Sequence, residues 1–151
     1  MTNMTDRIEK KIVLKAPVSR VWSALSNAKE FGAWFGCVFE ETFSPGAPIR
    51  GRITIPGYEH MPMEITIERM EPERFLSYRW HPYAVDPAVD YSGETMTLVE
   101  FTLEEVPGGT SLTVVESGFD RIPAARRAEA FRMNENGWTG QLRNIERHVS
   151  A

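Results

Sequence analysis

The sequence holds a single cysteine, Cys37, which excludes an internal disulfide and a multi-cysteine zinc site. A reducing, cytoplasmic setting is the expectation. Long apolar runs are missing too. None approaches the ~20 residues of a membrane-spanning helix, and the N-terminal stretch MTNMTDRIEKK has no apolar signal core. No integral membrane association is expected. Positive charge is not in excess: 17 Lys and Arg stand against 21 Asp and Glu, a net charge of −4. That balance argues against nucleic-acid binding. The 3 histidines form no HxH or HxxxH pair, so no metal is expected. There is no Gly-x-Ser-x-Gly turn and no glycine-rich phosphate loop. No cofactor is implied, and no internal repeat or low-complexity tract is found.

What is present is 151 residues, 42% hydrophobic and 11% aromatic, enough for one domain with a real core. We read residues 1–151 as a single domain whose core spans about 8–149. Ile8, Lys10, Ile12 and Leu14 alternate with mostly charged residues, a half-buried strand. Pro17 then suits a helix start, and Val18, Val21, Trp22 and Leu25 form an apolar stripe ending at Asn27. Phe31, Trp34 and Phe35 repeat the spacing in a second short helix that Gly36 can cap.

Alternation returns afterwards. Strands are expected over Val38–Phe43, around Ile49, Gly51, Ile53 and Ile55, and around Met63, Ile65 and Ile67. Leu76, Tyr78 and Trp80 share a face of the next strand. His81–Glu94 is a long loop in which Pro82 and Pro87 restrict the backbone. A hairpin follows, with Val99, Phe101 and Leu103 on one arm and Leu112, Val114 and Glu116 on the other. A helix over Ala124–Val149 closes the chain, with Ala128, Phe131, Trp138, Leu142, Ile145 and Val149 on one stripe. Gly137 and Gly140 inside it suggest a close backbone approach or a bend. Grouped strands with helices at both ends mean α+β: a curved antiparallel sheet of six to seven strands around a long C-terminal helix. The gap between sheet and helix is where a ligand would sit.

This order and several words resemble the START-like helix-grip (SRPBCC) superfamily. The closest group is the family resembling the C-terminal domain of the activator of Hsp90 ATPase (AHSA1-like). The words are Lys15-Ala16-Pro17 through Val21-Trp22-Ser23-Ala24-Leu25, and Ala33-Trp34-Phe35-Gly36. Later come Gly108-Gly109-Thr110-Ser111-Leu112-Thr113, Glu116-Ser117-Gly118-Phe119, and Asn136-Gly137-Trp138 followed by Leu142. The resemblance implies a fold and a cavity rather than a reaction. Members include lipid and polyketide binders, cyclases, self-sacrificing resistance proteins and co-chaperone domains. They share no catalytic motif, so no catalytic residue is carried over.

The residues expected to line the cavity follow from the inward faces. Glu116 shares a face with Leu112 and Val114, where an unpaired carboxylate would have a raised pKa and could anchor a ligand or move a proton. On the helix, Glu135 is favoured over Asn134 as the polar residue facing the sheet. Trp34, Phe35, Tyr58 and Met63 supply apolar lining from the first half of the chain. Tyr78, Trp80, His81 and Phe101 supply it from the sheet, and Phe131 and Trp138 from the helix. Cys37 lacks a base close in sequence and is read as a small packed residue.

The expected function is binding of a small, largely apolar molecule with one polar end group. One alternative is a cyclase- or dehydratase-like enzyme using Glu116 or Glu135 with Tyr78 or His81. Another is a chaperone-regulating module with a chaperone as partner. The loop His81–Glu94 is expected to be the cavity's lid. Its alternative role is an interface between two copies, a homodimer.

Overall fold

A computed structural model describes residues 7–86 and 88–150; Pro87, and with it the expected restriction there, lies outside the described residues. Strand β1 (Arg7–Leu14) leads into α1 (Val18–Ser26) and α2 (Ala28–Phe35). Six strands follow: β2 (Cys37–Phe39), β3 (Pro48–Ile53), β4 (Pro62–Glu71), β5 (Phe75–Trp80), β6 (Thr97–Val106) and β7 (Gly109–Ser117). A short 3-10 turn (Phe119–Arg121) then leads to α3 (Ala124–Ser150). The sheet is antiparallel with the order β1-β7-β6-β5-β4-β3-β2. Strands β2 to β7 form a simple meander, and β1 closes onto β7 because α1 and α2 carry the chain from one sheet edge to the other. This is the expected α+β helix-grip arrangement, with seven strands.

Local chemistry sets the helix ends. Asn27 accepts the Glu30 backbone N–H on its side-chain oxygen at 3.0 Å and so caps α2. Gly36, at φ 99°, ends it by donating its N–H to the Gly32 carbonyl at 2.9 Å. Gly109 is required for a different reason: a Cβ there would meet the Leu14 carbonyl oxygen at 1.9 Å. It lets β1 lie close against the β6–β7 hairpin.

The alternation reading extended two strands too far. Strand β2 stops at Phe39 rather than Phe43, and β3 stops at Ile53, leaving Ile55 exposed ahead of Pro56. Phe43 is still buried, against Phe31 and Phe39, in irregular chain. Within α3, Ala130 is buried and Ala128 is exposed, the reverse of the expected stripe. Gly137 and Gly140 mark no close approach: both face solvent, and a Cβ at either meets nothing within 4 Å. Each glycine therefore costs helix stability without return. Gly137→Ala and Gly140→Ala should each raise stability by up to ~1 kcal/mol in urea melts.

One polar clasp ties the helices together. Glu30 of α2 accepts from Arg20 at 2.5 Å and from Ser23, and lies 3.0 Å from His148 near the end of α3. Partial burial alone would raise the Glu30 pKa. The hydrogen bonds from Ser23, His148 and Arg20, with the Arg20 charge, outweigh that and bring it to about 2. The clasp therefore stabilises the fold above pH 4.5, the ordinary value, and fades as pH falls toward 2. Glu30→Gln should lower the urea midpoint at pH 7 and lower it far less at pH 3.

No helix among the described residues is long and apolar enough to cross a membrane.

Candidate functional site

Strand register builds the centre of the site. Ile8, Glu116, Val99, Tyr78 and Ile67 stand opposite one another across β1, β7, β6, β5 and β4. All five are buried, so this row runs beneath α3 with one carboxyl and one phenol among aliphatic side chains. Glu116 and Tyr78 are two strands apart, about 10 Å between backbones, a span that two long side chains can bridge.

Glu116 is 0% exposed and has no Lys, Arg or His in an ion pair with it among the described residues. Neutral donors surround it instead. Its Oε2 accepts from Trp80 Nε1 at 2.8 Å and Thr97 Oγ1 at 2.5 Å. Its Oε1 accepts from Trp138 Nε1 at 2.9 Å and Asn134 Nδ2 at 2.9 Å. Burial pushes its pKa up, and these hydrogen bonds oppose that rise without cancelling it. Trp80 and Thr97 are the last residue of β5 and the first of β6, so one carboxylate fixes both stems of the long loop.

The loop is fastened from above as well. Arg126, in the first turn of α3, donates to Glu94 at 2.5 and 2.9 Å and to the Pro82 carbonyl at 2.8 Å. Its guanidinium also lies 4.8 Å from the centre of the Tyr91 ring. Arg126 and Glu94 are mostly buried, so solvent and salt screen this pair less than a surface ion pair. No spacing in the sequence marks Arg126 for this role, since its partner Glu94 lies 32 positions away.

Rings fill the space between sheet and helix. Trp80 lies 5.9 Å from both Phe35 and Trp138, and Phe101 lies 5.7 Å from Trp138. Tyr78 packs at 5.3 Å against Trp80 and 6.1 Å against Phe101. Trp34 is buried beside Phe31 and donates its indole N–H to the Ala24 carbonyl at 2.8 Å, and Met63 is buried on β4. Phe131 packs edge-on against Phe119, toward the start of α3.

Two expected lining residues are elsewhere. Tyr58 is 48% exposed in the β3–β4 turn, because Pro56-Gly57 ends the alternation before it. Glu135 is exposed on the outer face of α3, and Asn134 takes the inward place. Steps of three or four back from Val149, Ile145, Leu142 and Trp138 reach 134, and that phase was the missed signal. His81 is half-buried just past β5, where its Nδ1 has no partner among the described residues. Cys37 is buried, and burial pushes its thiol up to about 12. It should resist a thiol reagent at pH 8 in the native state and react only on unfolding.

Two open hollows lie on the outside of the molecule. One, of about 590 Å³, is bordered by Lys15–Pro17 and Glu105–Gly109. The other, of about 840 Å³, is bordered by Ser26–Lys29, Gly32, Ala33, Cys37–Phe43 and Thr54. Neither is lined by Glu116, Tyr78 or Trp138.

Solved structures share this arrangement. A protein from Mesorhizobium loti (MLL2253) is 22% identical, covers 95% of this chain and 96% of its own, and superposes with a TM-score of 0.75. DynU16, from the dynemicin biosynthetic locus, is 24% identical with a TM-score of 0.73; the match covers 97% of this chain and 48% of that longer protein. The Aha1 dimer from Colwellia psychrerythraea is 16% identical over 93% of this chain and 92% of its own, with a TM-score of 0.67. At these identities the likeness shows the fold. No curated protein matches the chain. The family model for activator of Hsp90 ATPase homolog 1-like proteins matches residues 15–150. That match takes in both short helices, the six strands of the meander and all of α3, so the chain belongs to the AHSA1-like family.

Proposed function

We propose that this protein binds a small, largely apolar molecule between the sheet and α3, beside Glu116. The observation that carries the reading is the Glu116 carboxylate itself. A buried acid without a cationic partner costs stability, and an aliphatic residue would fill the same row of the sheet at lower cost. Such a group set among aromatic rings is the usual composition of a ligand site: much apolar surface with few polar atoms. The rings close the gap, so Phe35, whose side chain makes no hydrogen bond to Glu116, would swing aside on binding. Native mass spectrometry of protein freshly isolated from its host should detect a co-purified small molecule that denaturation releases. A chain that is ligand-free in every preparation would count against the reading.

The loop running from His81 to Glu94 acts in this reading as a lid, with Arg126 as its latch. Arg126→Ala should speed amide hydrogen exchange at Tyr83 and Tyr91 at least about tenfold, a loss of ~1.4 kcal/mol or more of local stability. Unchanged exchange would show that the loop is held by something else.

A second reading is favoured by Glu116 and Tyr78 standing in one buried row of the sheet, where burial first and then the Glu116 charge push the Tyr78 pKa up. A cyclase- or dehydratase-like enzyme would use them as acid and base. If the co-purified molecule is chemically altered by wild-type protein and not by Glu116→Gln, that reading replaces simple binding.

A further inference from the structure

Tyr78 is 0% exposed, yet its hydroxyl has no hydrogen-bond partner among the described residues. It is within electrostatic reach of Glu116 and is walled by the rings of Phe31, Trp80 and Phe101. Buried hydroxyls are nearly always paired, because leaving one unpaired sacrifices the hydrogen bonds it made in water. Glu116, by contrast, is saturated: two donors face each carboxylate oxygen. The free polar valence of the site therefore belongs to Tyr78 and not to the acid.

The geometry points to Tyr78 as the residue that reads the ligand, and to a ligand whose polar group is an uncharged oxygen, a carbonyl or a hydroxyl, on an apolar skeleton. This rests on the proposed binding site. The phenol can donate to a carbonyl or accept from a hydroxyl. A carboxylate or phosphate would bring negative charge next to Glu116, with no cation paired to either side. An ammonium would be drawn to the Glu116 charge but would leave the Tyr78 hydroxyl hydrogen unpaired, so a preference for an amine would mark Glu116, not Tyr78, as the residue that reads the ligand. Fatty acids are thus disfavoured relative to ketones and alcohols of the same skeleton.

Four naphthalenes of nearly one shape separate these cases by isothermal titration: naphthalene, 2-acetylnaphthalene, 2-naphthoate and 2-naphthylmethylamine. The wild-type protein should bind the ketone about tenfold tighter than the hydrocarbon and tighter than the amine, and the carboxylate more weakly than the hydrocarbon. Tyr78→Phe keeps the ring and removes the hydroxyl. It should bind naphthalene as well as the wild type does and bring the ketone to within about twofold of it. The same variant should melt higher without ligand, by about 2–4 °C, because an unpaired buried hydroxyl has gone. Equal binding of ketone and hydrocarbon by the wild type, a preference for 2-naphthoate or for 2-naphthylmethylamine, or a ketone preference that survives in Tyr78→Phe would each overturn the assignment. In those cases apolar binding would stand. If none of the four binds, the assignment fails together with the binding site.

Discussion

Replacing Trp138 with alanine should lower stability by about 3–5 kcal/mol. Trp138 is 3% exposed at the middle of α3 and lies against the rings of Phe35, Trp80 and Phe101. Truncation leaves a void the size of an indole, and the stiff sheet beneath cannot collapse into it. It also removes the Nε1 donor to Glu116, so a buried carboxylate oxygen loses half its partners. Trp138→Phe separates the two effects: most of the ring stays and the N–H goes, with an expected loss of about 1–3 kcal/mol. Urea melts with an unchanged m-value check both figures. A loss under about 1 kcal/mol for the alanine variant would mean that α3 does not grip the sheet at this residue.

Glu116→Ala should be nearly as damaging, by about 3–5 kcal/mol, for the opposite reason. Little packing is lost, but the N–H groups of Trp80 and Trp138, the Thr97 hydroxyl and the Asn134 amide lose their common acceptor. Each unsatisfied buried donor costs about 1–3 kcal/mol, and water entering the new space recovers part of it. Both loop stems should loosen together, because Trp80 and Thr97 flank the loop. The pH dependence carries a second signature. The folded-state pKa of Glu116 is raised above 4.5, so the folded chain binds the proton more tightly than the unfolded one. Its contribution to stability therefore falls as pH rises from about 4.5 through that raised value. Glu116→Gln should flatten this part of the stability curve and leave the Glu30 limb, below pH 4.5, in place.

The fold was legible because period carries it. Strict alternation in Met63, Ile65 and Ile67, the stripe of Trp138, Leu142, Ile145 and Val149, and the segregation of strands from helices left few architectures open. The inward direction of Glu116 was legible for the same reason, since it follows Leu112 and Val114 at every second residue. Its surroundings were not. Trp80, Thr97, Asn134 and Trp138 reach one carboxylate from three separate elements, and no spacing within one segment encodes that meeting. Asn134 was within reach of sequence reasoning, given the phase of the α3 stripe. The Arg126 latch was not, because a basic residue in the first turn of a helix is ordinarily solvated, and its partner Glu94 lies 32 positions away. Tyr58 fails the lining role because alternation was carried past Pro56-Gly57, where the backbone turns outward.

The measurement that bears most directly on ligand binding under α3 is a crystal structure of the protein as isolated from its host, without delipidation. Electron density for a small molecule should lie between Tyr78 and Trp138. One of its oxygen atoms should sit within about 3 Å of Tyr78 Oη, with Phe35 moved away from Trp138. An interior closed by Phe35, Trp80 and Trp138, with a co-purified molecule seated instead in the groove between Asn27 and Thr42, would contradict it.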